Sequence, residues 1–367
     1  HPAMRSLANV TIIGMISVVI ISYVIPPLLY SYITTKKGKK RLIPVTFTHS
    51  FATIYSFLFF LAGSFCLTVY GFTLFGFRKK TEKRRLKYHK ALFKTSRFVV
   101  KHLPLVQTKI ENKYKETFEK PGIIICNHQS HLDLMFVLML SPKIVVLTNE
   151  WVWNSPFYGK LIRYADFYPV MNGIEYSIEK LASIINKGYS VAIFPEGTRS
   201  EDCSILRFHR GAFFLAEQLN VDIIPLIVHG IGHALPKSEL LLRRGKITME
   251  ILERISPENK QFGENYTHRT KQIRQLYKRE YSILQQQCET PAYYHSLVYH
   301  NYIYKGAGIE KYAKHQLKQY ENFEKLINLL PNNGTMLNPF CAYGVFVLMC
   351  SLVKKDLRII AFDVDED

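Results

Sequence analysis

The sequence predicts a mixed α/β sheet-and-helix domain, set behind apolar and basic helices and followed by a further strand–loop–strand piece. Three observations carry that expectation. Two uncharged runs lie before Arg78, each followed by clustered lysine and arginine. From about Thr108 to Ile255, short apolar strands alternate with helical stretches. Beyond about Tyr304, a helical stretch leads to a new apolar strand at Met336-Leu337.

With 367 residues the chain is long enough for more than one domain of ordinary size. Its 48 lysines and arginines against 29 acids leave a formal charge of +19, clustered along the chain. Such a balance suits nucleic acid, an anionic membrane or a negatively charged substrate. The cations flank hydrophobic runs, which favours the membrane and argues against nucleic acid. Cys66, Cys126, Cys203, Cys288, Cys341 and Cys350 form no C-x-x-C pair and no zinc spacing. They read as isolated reduced thiols of a part that faces the cytosol, and no metal is expected.

Residues 1–41 read as a transmembrane helix with a basic flank. Ser6 to Thr35 carries no charge, which exceeds the ~20 residues a bilayer crossing needs. Pro26-Pro27 should kink or end that helix, and Lys36 to Arg41 marks a cytoplasmic end. Residues 42–77 form the second uncharged run, interrupted only by His49. Basic clusters on both sides favour a helical hairpin bent near Gly63-Ser64, with one long tilted helix as the alternative.

Residues 78–104 then read as an amphipathic helix lying on the membrane. Lys83, Lys87, Lys90, Lys94, Arg97 and Lys101 make one cationic stripe. Leu86, Leu92, Phe93, Val99, Val100 and Leu103 fill the adjoining arc, which could bury itself in lipid or pack on the next domain.

Residues 105–258 form the α/β domain, with strands at Gly122–Cys126, Ile144–Leu147, Val191–Phe194, Ile223–Val228 and Ile247–Ile251. Residues 259–303 read as a linker with a connecting helix at Thr267–Gln287. Residues 304–367 hold a helix at Ile309–Leu330 and the final strand–loop–strand. His1 opens without methionine, and a strand has just ended at Asp367. A fragment of a longer polypeptide is therefore expected.

Chemistry concentrates at two strand ends. The first carries Asn127-His128-Gln129-Ser130-His131-Leu132-Asp133. Histidine titrates near neutrality and suits the removal of a proton from an attacking hydroxyl. A carboxylate on its second ring nitrogen would fix the tautomer, as in serine hydrolase triads. His128 is thus the candidate base and Asp133 its partner. Asn127 and Ser130 are candidate substrate contacts, whereas His131 faces elsewhere. The same residues also match a helix capping box, Ser130-x-x-Asp133.

The second strand ends in Pro195-Glu196-Gly197-Thr198-Arg199-Ser200. Gly197 permits close backbone approach to a ligand, and Arg199 offers a planar fork for phosphate. Glu196 could accept from a substrate hydroxyl or tie this turn to the first motif. Thr198 joins the candidate contacts. Arg207 and Arg210 could extend an anion site or lie on a solvated surface.

Asn127 to Asp133 matches the N-H-x-x-x-x-D motif of the lysophosphatidate and glycerol-phosphate acyltransferases, and Phe194 to Ser200 their F-P-E-G-T-R-S block. Val221 to Leu226 and Phe208 to Phe213 resemble later stretches of that family. The resemblance covers about residues 45–255. It implies an α/β acyltransferase domain held on the inner or cytoplasmic membrane, its site on the cytosolic side, acting in phospholipid biosynthesis. It implies His128 as base, Asp133 as its partner and Arg199 as a ligand of the acceptor phosphate. No cofactor is then required; acyl-CoA or acyl carrier protein is the donor and a lysolipid the acceptor. The family's intermediate arginine is missing from Tyr164 to Gly173, with Arg163 near but out of register. That weakens the acceptor's identity. A non-catalytic membrane-anchoring or lipid-binding module is the alternative reading.

The ends carry further resemblances. Residues 1–41 resemble the last transmembrane helix of RND-type lipid exporters. From Tyr304 the chain resembles the opening, Rossmann-like segment of a class I methyltransferase that uses S-adenosylmethionine. Met336 to Gly344 would be its first strand and cofactor loop, with Gly344 in the loop and Asp363 the acid for the ribose. Phe340 and Ala342 stand where glycines are usual, so no methyltransferase activity is expected of these residues alone.

Overall fold

The computed structural model describes residues 2–36, 39–41, 43–77, 79–156, 159–169 and 178–363. They fall into two units, residues 49–288 and residues 1–48 with 289–367. Each is treated by itself.

In the second of these, α1 (Pro2–Val19) passes through a π-helical turn, Ile20–Val24, into α2 (Ile25–Thr34). The Pro26-Pro27 pair therefore does not end the helix. Both prolines fall in the first turn of α2, where a missing N–H matters least, and the widened turn before them takes up their rings. A two-residue antiparallel pair follows, β1 (Thr35–Lys36) with β2 (Lys39–Lys40).

Next, α3 (Phe47–Phe75) runs unbroken through Gly63-Ser64. The expected hairpin is corrected to a single helix of 29 residues. One glycine costs a helix only about 1 kcal/mol against alanine, too little to reverse it. The glycines serve close packing instead. A Cβ on Gly63 would lie 3.3 Å from the Thr95 side chain, and one on Gly71 would fall inside the Tyr164 ring at 2.3 Å. Met4–Thr34 and α3 are both long and apolar enough to cross a membrane.

The helix α4 (Glu82–Lys101) keeps its six predicted cations exposed. Its apolar arc, however, is covered by protein: Leu92, Val99, Val100 and Leu103 are buried. The expectation that this arc enters lipid is corrected, because hydrophobic spacing marks a buried face without saying what buries it.

The remaining elements of this unit are β3 (Val106–Glu111), β4 (Ile123–Cys126), α5 (Asp133–Leu138), β5 (Ile144–Thr148), α6 (Glu150–Trp153), α7 (Gly159–Tyr164), β6 (Tyr168–Pro169), α8 (Ile178–Asn186), β7 (Ser190–Ile193), α9 (Gly211–Gln218), β8 (Ile223–His229), α10 (Ile231–Ala234), β9 (Gly245–Ile251) and α11 (Tyr266–Cys288). The strands form one sheet in the order β3-β9-β8-β4-β7-β5-β6. From β8 to β6 all neighbours are parallel; β9 runs antiparallel to β8 and carries β3 parallel to itself. Strand β3 is a polar edge that the apolar patterning did not reveal. Every residue of β4 and of β8 is buried, as expected of strands covered on both faces.

Helix α11 is no linker. Ile273, Tyr277, Tyr281 and Leu284 are buried in the core of the sheet unit. The Tyr277 hydroxyl donates to the Ile125 carbonyl at 2.7 Å and accepts the Leu226 N–H at 3.1 Å. Its polar composition had hidden a four-residue apolar stripe.

Residues from Glu289 onward build their own core from α12 (Pro291–Tyr302), α13 (Ala307–Leu317), α14 (Tyr320–Leu329), β10 (Gly334–Pro339), α15 (Val345–Val353) and β11 (Leu357–Phe362). The helix expected over Ile309–Leu330 is two helices. Leu317 and Phe323 are both buried, and six residues apart on one helix they would point roughly 120° from each other. The break turns both inward. Strands β10 and β11 pair in parallel around α15. In the loop, Phe340 and Ala342 hold φ of 59° and 47°, the left-handed region that favours the glycines they replace. The Ala342 N–H donates to the Asp363 carboxylate, and Gly344 starts α15 with φ at 70°.

Candidate active site

Strand order brings the two motifs together. Because β5 lies outside β7, β4 and β7 are neighbours, paired from Ile123↔Val191 to Ile125↔Ile193. Both run the same way, so residues 127–133 and 194–199 leave the sheet side by side at its carboxyl edge. That edge is where ligands bind in open α/β sheets.

Asp133 opens α5 fully buried, and the His128 Nδ1–H donates to its Oδ2 at 2.7 Å. The same oxygen accepts the backbone N–H of Gln129 at 2.7 Å and of Ser130 at 2.8 Å. Three donors on one oxygen make Asp133 the acceptor, which places the ring proton on Nδ1 and leaves Nε2 as the basic nitrogen. Phe194 covers the ring, stacked at 4.4 Å between centroids. The imidazole side chain stays 23% exposed.

Those hydrogen bonds also occupy the N–H groups that follow His128, which a helix start could otherwise turn toward an oxyanion. Gln129 and Ser130 instead give theirs to Asp133, and His128 gives its own to Glu196.

Glu196 is buried and acts as a clamp. Its Oε1 accepts the His128 N–H and its Oε2 the Leu206 N–H, both at 3.1 Å. Of the two roles read from sequence, the tie between motifs is the one present. Burial pushes its carboxyl up to about 7, against the pull of the two N–H groups. The Ser200 N–H donates back to the His128 carbonyl at 2.8 Å, so each motif holds the other.

Asn127 and Ser130 are engaged by the protein's own backbone. Asn127 is fully buried and mimics a ladder rung, donating to the Val228 carbonyl at 2.9 Å and accepting the Val228 N–H at 2.8 Å. Ser130, also buried, donates to the Leu235 carbonyl at 2.8 Å. Both brace the loop, because a buried amide or hydroxyl must find protein partners.

Gly197 holds φ at 68°, and a Cβ there would press on the His209 ring at 3.1 Å. Thr198 is exposed beside it, and Arg199 is half-buried. Arg199 Nη1 is buried without a hydrogen-bond partner, as is Asp133 Oδ1, among the described residues. Burial lowers the Arg199 pKa and the Asp133 charge resists that, so both lie in one electrostatic neighbourhood. A buried guanidinium nitrogen with no acceptor is what an anionic ligand would complete. His131 is exposed, with its pKa lowered by burial of its ring and then by Arg199.

One further residue escaped the sequence reading. Lys237 Nζ lies 3.4 Å from the Thr198 hydroxyl and 3.8 Å from a Glu201 carboxylate oxygen. It follows α10, and only its position after Pro236 beyond the β8 end could have drawn attention to it. Arg163 does not supply the missing intermediate arginine: it donates to the Trp153 carbonyl at 2.9 Å and lies over that indole. Residues 170–173 of that motif are outside the described residues. Arg210 does not join the His128 group; it lines a separate cleft with Arg207. Among the described residues, no cluster of His, Cys, Asp and Glu could hold a metal.

Residues 106–229 match the acyltransferase family model. That span contains both motifs of the acyltransferase-like domain. The chain is 30% identical over 163 residues to the 1-acyl-sn-glycerol-3-phosphate acyltransferase of Cocos nucifera, covering 42% of this chain and 52% of that protein. It is 32% identical over 157 residues to the enzyme of that name from Limnanthes alba, covering 41% and 56%. With the alpha form from Ovis aries it shares 25% identity over 165 residues, 43% and 58% of the two chains. The chain thus spans about half the length of these curated relatives. Among solved structures, the 1-acyl-sn-glycerophosphate (LPA) acyltransferase PlsC of Thermotoga maritima superposes with a TM-score of 0.55 at 23% identity, over 65% of this chain and 96% of that one. The acyltransferase fold is therefore shared.

Proposed function

We propose that this chain is a membrane-bound O-acyltransferase that moves a fatty acyl group from a thioester to the hydroxyl of a lysophosphatidate- or lysophospholipid-like acceptor. The observation that carries the reading is the partly exposed His128 ring, oriented by buried Asp133, with a guanidinium that lacks an acceptor in the electrostatic neighbourhood of Asp133. The acceptor's oxygen attacks the thioester carbonyl carbon while His128 Nε2 takes the hydroxyl proton. Asp133 stabilises the imidazolium that forms. As the tetrahedral intermediate collapses, the carbon–sulfur bond breaks and the imidazolium returns its proton to the leaving thiolate. No covalent enzyme intermediate and no cofactor enter these steps.

Arg199 holds the acceptor's phosphate, with Lys237 and Thr198 at the rim. The charge-assisted fork suits a phosphate one carbon away from the reacting hydroxyl. Two helices of spanning length and the exposed cations of α4 support attachment to an anionic membrane on its cytosolic face.

The test incubates membrane-embedded protein with acyl thioesters and a panel of lysolipids, comparing the wild type with His128→Ala by product mass. Loss of about 10²–10⁴ in rate is expected for a missing general base. Equal turnover by the variant would remove His128 from the chemistry. No product from any acceptor would favour a non-catalytic, lipid-binding module.

A further inference from the structure

A second cationic site lies outside the His128 group. A cleft of about 630 Å³ opens between the loop after the glycine-turn motif and one face of α11. Arg207 and Arg210 come from the loop, and Lys271 and Arg274 come from the helix, where Thr267, Thr270, Lys271, Arg274 and Gln275 recur at helical spacing. No acid lines it. Among the described residues, Arg207, Arg210 and Lys271 form no ion pair. Arg274 alone is anchored, its Nε–H donating to the Leu206 carbonyl at 2.8 Å.

Four cations facing one concavity repel each other unless an anion sits among them. The cleft is also wired to the reacting centre. His209, on its wall, gives its N–H to the Pro195 carbonyl at 2.7 Å and lies against Gly197. Leu206, held by Arg274, gives its N–H to Glu196. None of His128, Asp133, Glu196, Gly197 and Arg199 lines the cleft, so it lies beside the glycine turn and is distinct from it.

That separation selects the ligand. An acceptor such as lysophosphatidate carries its phosphate next to the reacting hydroxyl, so its phosphate belongs near His128. A coenzyme A thioester carries a compact group of phosphates on its nucleotide, at the far end of a long pantetheine arm. We propose that this cleft binds the phosphates of the nucleotide end of an acyl-coenzyme A donor, which rests on the acyltransferase reading and narrows the donor to that class. A carrier protein would meet an exposed surface with its acidic helix, and four cations in a recess fit a small polyanion better.

The experiment uses the full chain and the double variant Arg207→Gln/Lys271→Gln, which leaves His128, Asp133, Glu196 and Arg199 untouched. Adenosine 3′,5′-bisphosphate is the probe, titrated by calorimetry at two salt concentrations. The wild type should bind it, more weakly at high salt, and the variant should lose at least roughly tenfold in affinity, about the worth of one charge-assisted contact. In the transfer assay the variant's KM for acyl-coenzyme A should rise by a similar factor. Its kcat/KM for the nucleotide-free acyl-pantetheine thioester should not change. No bisphosphate binding by the wild type, an unchanged KM for acyl-coenzyme A, equal losses with both donors, or acyl carrier protein as the only accepted donor would each overturn the proposal. Should no donor give product, the acyltransferase reading fails, and bisphosphate binding still decides the cleft.

Discussion

Glu196 accepts the backbone N–H of His128 at 3.1 Å, so the acid of the glycine-turn motif fixes the histidine of the other motif. The contact crosses 68 residues of sequence and joins the ends of two neighbouring parallel strands. It also puts a buried carboxyl, with its pKa raised to about 7, against the backbone of His128.

A pH dependence follows. In the unfolded chain the Glu196 carboxyl titrates near its ordinary value of 4.5, and in the folded protein near 7. Between those values the folded state holds the extra proton, so this group favours folding at the acid end and its contribution is lost as pH rises through 7. The span corresponds to ~3 kcal/mol. Denaturant unfolding of the wild type and Glu196→Gln at pH 5 and pH 8 should show the variant lacking that decline. Parallel stability curves for the two proteins would show that Glu196 titrates normally.

Asp133→Asn should separate positioning from charge. The amide oxygen can keep the three N–H bonds that Oδ2 accepts now, but it cannot stabilise an imidazolium. Turnover should fall by about 10²–10⁴ with KM little changed. The amide nitrogen takes the place of Oδ1, which has no partner, so stability should drop by ~1–3 kcal/mol as well. Steady-state kinetics with purified acceptor, beside a denaturation curve, reads both. A variant with full kcat would return this motif to a helix cap.

The seat of α3 rests on Gly71. Alanine there would gain about 1 kcal/mol of helix propensity. Its methyl would meet three atoms of the Tyr164 ring between 2.3 and 2.9 Å, in a ring already packed on Phe75 and Tyr88. Overpacking of this kind costs about 1–3 kcal/mol, so the clash should win. Gly14→Ala is the control, with nothing within 4 Å of its new methyl. Gly71→Ala should lower the unfolding midpoint in detergent while Gly14→Ala leaves it level or raises it. A stabilised Gly71→Ala would mean that Tyr164 moves aside freely.

Much of this site was legible because its chemistry is local. His128 and Asp133 are five residues apart, close enough for one strand-to-helix turn to join them, and Gly197 and Arg199 share a single tight turn. Asn127 and Ser130 are ambiguous in the sequence for a related reason. Their side chains could serve a ligand or the scaffold, and the choice was made by Val228 and Leu235, about a hundred residues away. Helix α11 has the composition of a connector, since most of its positions are polar, yet Tyr277 reaches the backbone of both β4 and β8.

The sequence by itself determined the apolar strands, the two long apolar helices and the candidate residues of the two motifs, since periodicity and motif spacing are properties of neighbouring residues. Only the tertiary structure decided what those features face. Strand order made β4 and β7 neighbours and so assembled one site from two motifs. Packing turned the apolar arc of α4 against protein and buried the stripe of α11 under the sheet. The physical reason is the same in each case: burial rewards an apolar face or a polar group whatever partner covers it, and the partner lies far along the chain.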